Sequence, residues 1–385
     1  MVLDALPSPF EFPIGIGNKP DARRFSVSRL SNDFLEYRRV IAAPPHSDSR
    51  ARIALSCPGI AWSGPDAAKS ISSAPMPQVF SPGLVSGPAN DGSPALSPDG
   101  NTIFFTRSAA NWSAIVESHN IRGGSHPTLA PFSGEWSDSS PAMSPDGKYL
   151  VFESKRPKLP LASPQKQGGE SVPGAVSNLW RVDRMGTGWS KLTRLPDMAN
   201  LVGQSLWKPS VAANGTSYFV AIDTKGGKRL NSSHYSNGAY QQAQPLSFSD
   251  GTTLDVDPDI APNGSFLVFC SAGRLPDDKK DHLFIVHRTG DVSGQVVPIR
   301  YAGDDTNGYS TDDEPYLDPD HRTLYFSSVR SVATHLPRSR EPAQRDFEHM
   351  GSWGYFTDYF NIWSIPLTPW SDGNSNDHGK ANASE

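Results

Sequence analysis

A proline followed three residues later by a tight turn occurs five times in this chain, each time just before a short apolar run. The copies are Pro94-Ala-Leu-Ser-Pro-Asp-Gly100, Pro141-Ala-Met-Ser-Pro-Asp-Gly147, Pro209-Ser-Val-Ala-Ala-Asn-Gly215, Pro258-Asp-Ile-Ala-Pro-Asn-Gly264 and Pro315-Tyr-Leu-Asp-Pro-Asp-His321. Their leading prolines stand 47, 68, 49 and 57 residues apart, the spacing of propeller blades with insertions. Proline fixes φ, and Asp-Gly or Asn-Gly supplies positive φ, so the chain reverses between two antiparallel strands. The strand after each turn is Thr102–Thr106, Tyr149–Phe152, Ser217–Val220, Phe266–Phe269 or Thr323–Phe326. A further strand follows in several units, at Asn178–Trp180, His282–Val286 and Asn361–Ile365. One such sheet has two apolar faces and cannot bury them alone, whereas radial stacking buries both. The expected fold is therefore an all-β propeller of four-stranded antiparallel blades.

Six blades are favoured and five remain open. Residues 21–93 hold candidate strands at Phe34–Tyr37, Arg52–Leu55 and Gln78–Phe80 but no copy of the turn. They form either a degenerate sixth blade or an outer strand that closes a five-bladed ring, since an open ring would leave an unpaired edge. The expected organisation is a loose segment 1–20, one propeller over 21–370 and a disordered tail 371–385, with recognisable repeats at 94–140, 141–208, 209–257, 258–314 and 315–370. Segments 157–177 and 331–358 read as surface insertions. The second, with the residues just after it, carries Trp353, Tyr355, Phe356, Tyr359 and Phe360.

Composition agrees and narrows the function classes. The 33 glycines and 35 prolines suit many short strands rather than long helices. A net charge of −5 without any basic run argues against a nucleic-acid partner. No apolar stretch approaches the length of a membrane helix, so no membrane partner is expected. The start Met1-Val-Leu-Asp-Ala-Leu-Pro-Ser-Pro lacks the pattern of a signal peptide, which favours a cytoplasmic location, or a secreted or periplasmic one if a leader was trimmed. Two cysteines, Cys57 and Cys270, give neither a disulfide framework nor a zinc site by themselves, and Cys270 closes the apolar run Phe266–Cys270 as a buried thiol. A monomer is expected.

The fingerprint Ser-Pro-Asp-Gly, complete at Ser97–Gly100 and Ser144–Gly147 and partial in the other copies, resembles the TolB-type, WD40-like propeller repeat. Phe80-Ser-Pro-Gly-Leu-Val-Ser86, Pro131-Phe-Ser-Gly134 and Gly188-Trp-Ser190 are similar to the single-domain branch of that family, and the resemblance covers about residues 78–370. It implies the fold and little about activity. Similar propellers serve as protein-binding platforms, as gating domains of prolyl oligopeptidase-like enzymes and, in oligogalacturonate lyases, as metal-assisted enzymes. A peptidase domain is not expected after the last blade, and the chain has neither a Gly-x-Ser-x-Gly elbow nor a His-Glu-x-x-His motif. Fold alone does not decide function.

Three residues before each repeat proline stand Asp91, Asp138, Leu206, Asp255 and Asp312. This spot precedes the innermost strand, which places four carboxylates at one mouth of the channel. Arg107, Arg156, Arg274 and Arg330 follow the second strand of the same blades, near a Phe-x-x-x-Arg pattern. Each Asp can pair with its own blade's Arg as a structural tie, or the eight can form a ligand-binding ring. The third copy lacks both partners, having Leu206 and Ala221-Ile-Asp223, which is what a structural pair predicts. Its loss also leaves Trp207 and Lys208 at the rim, an aromatic platform and a cation facing carboxylates.

The acidic stretch Asp304–Glu314, with Asp255 and Asp257, can offer oxygen ligands or an acid/base pair. The candidates for catalysis are thus Asp138, Asp255, Asp312 and Glu314, and those for a divalent metal such as Ca or Mn are Asp255, Asp257 and Asp312. No cofactor is required by any motif. His119, His126, His234, His335 and His349 are assigned to loops, where solvation is the default.

Three functions follow from this pattern. The first is a propeller that binds a small molecule, glycan or peptide at the central channel mouth. The second is a stand-alone lyase, hydrolase or isomerase, using convergent carboxylates with a loop His and a metal. The third is a protein-interaction scaffold.

Overall fold

The computed structural model describes residues 75–109, 112–119, 121, 125–158, 176–223, 225–275, 280–290, 292–301, 311–330, 340–341, 344 and 359–371. The chain divides into two units, Met1–Ala61 and Trp62–Glu385, and every described residue belongs to the second. Five antiparallel sheets follow one another along it. From the innermost strand outward, blade 1 is Asn90–Leu96, Thr102–Ala109, Trp112–His119 and Thr128–Leu129. Blade 2 is Asp138–Met143, Tyr149–Ser154, Asn178–Met185 and Thr193–Arg194, with Gly188–Trp189 also pairing its third strand. Blade 3 is Ser205–Val211, Ser217–Ile222, Lys228–Ser233 and Gln244–Pro245. Blade 4 is Leu254–Ile260, Phe266–Ala272, Asp281–Thr289 and Val292–Pro298.

Blade 5 closes the circle. Its inner strands are Asp312–Leu317, Thr323–Ser328 and Asn361–Pro366, and its outermost strand is Gln78–Val79 from the other end of the chain. Gln78 pairs with Ser364 and Val79 with Trp363. The Ser86 hydroxyl donates to the Ile362 carbonyl at 3.1 Å and accepts from the Ile362 amide at 3.1 Å. Asp91 N donates to Phe360 O at 3.0 Å, and Phe360 N to Asn90 Oδ1 at 2.9 Å. Innermost strands of successive blades pack together, and that of blade 5 packs on that of blade 1. Five blades therefore complete the ring, the smaller of the two counts the repeats allow. Phe34–Tyr37 and Arg52–Leu55 lie outside the described residues.

Each Pro-to-Gly repeat does what its residues dictate. Gly100 N donates to Ser97 O and Gly147 N to Ser144 O, both at 2.8 Å, closing a turn whose proline sits second. The Asp of each complete fingerprint holds the turn, since Asp99 Oδ1 accepts from the Ser97 hydroxyl and Asn101 N, and Asp146 Oδ1 from the Ser144 hydroxyl and Lys148 N. In blade 5, His321 takes the glycine's place at φ 56°.

Apolar clusters fill each interface between blades. Phe104 and Ile115 of blade 1 meet Leu150, Phe152 and Trp180 of blade 2, and Leu179 meets Leu206 and Phe219 of blade 3. A larger cluster joins blades 3, 4 and 5 through Leu230, Leu267, Phe269 and Phe326, while Leu96 and Phe105 meet Ile362 across the closure. Among the described residues, no helix is long and apolar enough to cross a membrane.

Candidate functional site

The innermost strand of every blade carries one β-bulge at the same place. Pairing shifts between Gly92 and Ala95, Ser139 and Ala142, Trp207 and Ser210, Val256 and Asp259, and Asp313 and Tyr316. The repeat proline is the cause. It has no N–H to give the ladder, and a bulge is where an interior strand tolerates it. The residue before each proline is forced to positive φ: Ser93 48°, Ser140 52°, Lys208 46°, Asp257 54° and Glu314 54°. A left-handed conformation at five non-glycine residues stores backbone strain.

Two layers of side chains flank this bulge. The first is a set of ties. Asp91 accepts from Arg107 at 2.7 and 3.0 Å, and Asp255 from Arg274 at 2.7 and 2.6 Å, both bidentate. Arg156 reaches Asp138 at 2.9 Å, and Arg330 reaches Asp312 at 2.6 Å. The four carboxylates are buried, and neighbouring hydroxyls complete three of them: Ser133 on Asp138, Ser271 on Asp255 and Tyr301 on Asp312. Burial pushes the Asp91 and Asp138 carboxyls up despite their arginines. Each guanidinium also lies over a phenylalanine opposite the bulge: Arg107 on Phe105, Arg156 on Phe152, Arg274 on Phe269 and Arg330 on Phe326, at 5.3–5.7 Å. In blades 2 and 5 the stacked pairs, Phe152 with Arg156 and Phe326 with Arg330, are the Phe-x-x-x-Arg pattern itself. In blade 3 the pair is apolar, Leu206 opposite Ala221, and Phe219 packs with both. Asp91, Asp138, Asp255 and Asp312 are thus each held within their own blade rather than presented at a common mouth.

The second layer is the ring of bulge residues. Three of their N–H groups turn to the preceding blade: Ser93 N donates to Glu314 Oε2 at 2.8 Å, Ser140 N to Thr106 Oγ1 at 2.8 Å and Glu314 N to Asp257 Oδ2 at 3.3 Å. Gly92 makes room for this, because a Cβ there would lie 2.3 Å from Glu314 Oε2. Glu314 of blade 5 also raises the carboxyl of Glu153 on blade 2, after burial itself. Those blades are not neighbours, so the two groups sense each other across the axis. Lys208 is 4% exposed and makes no side-chain hydrogen bond or ion pair with any described residue. Its ammonium acts on Asp257 and Asp259, drawing both carboxyls down. Burial and the Glu314 charge prevail, and Asp257 is pushed up to about 7. The Ser93 hydroxyl is buried and has no partner.

Behind the ring, between blades 4 and 5, lies a third group. Cys270 donates its thiol hydrogen to Asp313 Oδ1 at 3.1 Å. Together with Asp281 they bring three donor atoms within 4.8 Å of one another. Burial, then Asp281 and Asp313, hold the Cys270 thiol up, and burial, Asp281 and Asp257 hold the Asp313 carboxyl up. A divalent cation fits such a set chemically, since it would replace those protons. Asp259 serves structure instead, accepting from the Ser210 hydroxyl of blade 3 at 2.5 Å and from Leu317 N of blade 5 at 2.6 Å.

One repeat per blade, a Ser-Pro-Asp-Gly turn and closure by the first strand decide the fold. It is a five-bladed β-propeller. Solved structures similar to it include a putative TolB from Agrobacterium tumefaciens, at 17% identity and TM-score 0.41 over 63% of this chain and 70% of that one. TolB from Acinetobacter baumannii matches at 15% identity and TM-score 0.41, over 72% of this chain and 54% of that one. A gluconolactonase from Xanthomonas campestris matches at 16% identity and TM-score 0.40, over 72% of each chain. No family model and no curated protein sequence matches the chain.

The propeller brings together Lys208, Asp257 and Glu314 of the residues expected from sequence. Trp207 stands beside them, its ring under the Lys228 ammonium at 4.9 Å and its Nε1–H buried without a partner. Asp255 and Asp312, expected as metal ligands, are engaged by Arg274 and Arg330, and the metal-capable set lies one residue on, at Asp313. His119 ends a strand rather than lying in a loop, and its ring meets Thr102 and Glu117. Cys57, Asp304, Asp305, His335, His349, Trp353, Tyr355 and Phe356 fall outside the described residues. Sequence reasoning missed Ser93, Ser140 and Glu153, although the position before each repeat proline marks the first two.

Proposed function

We propose that this propeller binds a small polar molecule at its axial ring. One observation carries the reading: Lys208 is 4% exposed and makes no side-chain hydrogen bond or ion pair with any described residue, one blade away from Asp257, a carboxylate it acts on without touching. A charge held in so enclosed a place without an ion pair among the described residues, on one of five strained bulges, gives up stability. Sites that give up stability in this way are those preorganised for a ligand. The test is a thermal-shift screen of small acids, amines, sugars and amino acids on the wild type and on Lys208→Met. The expected result is at least one compound that raises the melting temperature of the wild type and not of the variant. Compounds that shift both proteins equally overturn the reading.

A second reading, an enzyme, is favoured by Asp257. A carboxyl at about 7 beside Glu314 can give or take a proton at neutral pH. Cys270, Asp281 and Asp313 would hold a divalent cation next to it, and such an ion supplies a Lewis acid. The thiol suits a softer ion such as zinc over calcium. Titration of the chelator-treated protein with zinc, manganese and calcium checks this: one zinc per chain, lost in Cys270→Ser, is expected. Zinc uptake unchanged by that substitution contradicts it.

A further inference from the structure

Resting on the axial ring as the binding site, we propose that its ligand is a small zwitterion, one molecule bearing an ammonium and a carboxylate a few bonds apart, as in a free amino acid. The ring is itself split by charge. On one side stands the Lys208 ammonium, 4% exposed, with no side-chain hydrogen bond or ion pair to any described residue. On the other stand Asp257 and Glu314; among the described residues Asp257 accepts only the Glu314 N–H, at 3.3 Å, and Glu314 uses a single oxygen for Ser93 N and the Ser327 hydroxyl. The hydroxyl of Ser93, whose N–H Glu314 holds, is buried and has no partner.

A buried charge is compensated best by an opposite charge with good hydrogen bonds. A ligand carboxylate answers Lys208, and a ligand ammonium has three hydrogens for Asp257, Glu314 and the Ser93 hydroxyl. A simple anion would answer Lys208 but face Asp257, Glu314 and, across the axis, Glu153. A simple amine would pair with the acids and leave Lys208 buried alone and repelled. Only a molecule with both groups settles both sides.

Calorimetry on the full chain tests this with glycine, L-alanine, acetate and ethylamine. Glycine or L-alanine is expected to bind, and acetate and ethylamine at least about tenfold more weakly. Lys208→Met and Asp257→Asn are each expected to cut that affinity at least about tenfold while melting cooperatively. Acetate binding as tightly as glycine, with dependence on Lys208 alone, overturns the zwitterion and leaves the ring as an anion site. Absence of binding by all four probes also overturns it. In that case the thermal-shift screen decides separately whether the ring binds anything.

Discussion

Asp312 and Glu314 are two residues apart in one strand, and they do opposite work. Asp312 is buried, gripped by Arg330 and Tyr301, and stacked through that arginine on Phe326. Glu314 sits on a strained bulge at the axis, leaning on another blade and acting electrically on a third. The same split runs round the ring. The ties repeat one chemistry in four blades and are replaced by an apolar pair in blade 3, as an element serving only packing can be. The bulge residues share a backbone conformation and no chemistry, reading Ser, Ser, Lys, Asp and Glu. Uniform side chains paired within each blade hold the blades. Varied side chains with open bonds line the ring that the proposed ligand would occupy.

The largest effect is expected in the tie layer. Arg330→Met leaves Asp312 buried without its cation and should cost about 3–5 kcal/mol in chemical denaturation. Arg274→Met should behave alike, while the double variant Asp255→Leu/Arg274→Met, which copies the apolar solution of blade 3, should recover most of the loss. If the double variant is no better than the single one, the ties are more than packing elements.

Gly92→Ala should cost about 1–3 kcal/mol, because the new methyl meets Glu314 Oε2 and the Ser327 hydroxyl at 2.3 and 2.8 Å. Equal stability would mean that Glu314 does not lean on blade 1.

A smaller effect, with a definite pH sign, belongs to Asp257. Its carboxyl titrates near 7 when folded and near 4 when unfolded, so the folded state binds the proton more tightly. Its contribution is full below about pH 4 and is lost as pH rises through 7. Asp257→Asn should therefore stabilise the protein relative to wild type at pH 8 and by much less at pH 4. A gain that is larger at pH 4 would contradict the assignment.

The parts legible in the sequence were those with strict backbone demands. Ser97–Gly100 and Ser144–Gly147 announce a turn because few residues meet that geometry, and strands such as Phe266–Ala272 follow from apolar runs beside it. The Asp and Arg positions were visible through repetition, while their pairing stood beside a ligand-ring alternative. Blade number stayed open because the closing strand, Gln78–Val79, finds its partners at Trp363 and Ser364, at the other end of the fold. The axial ring was only half legible. Lys208 and Glu314 attract notice as charges, but Ser93 and Glu153 gain meaning only when separate blades face one axis. Cys270 reads as an inert buried thiol, and it is buried; its bond to Asp313 crosses to another blade, which no local pattern encodes.

The most direct measurement sets the two layers side by side: unfolding free energies of Arg330→Met and Lys208→Met against wild type, in the same denaturant and buffer. The expected result is a loss of about 3 kcal/mol or more for Arg330→Met and no loss, or a gain, for Lys208→Met, whose ammonium has no ion pair with a described residue to lose. A loss for Lys208→Met as large as that for Arg330→Met would make the ring a structural element and contradict the account.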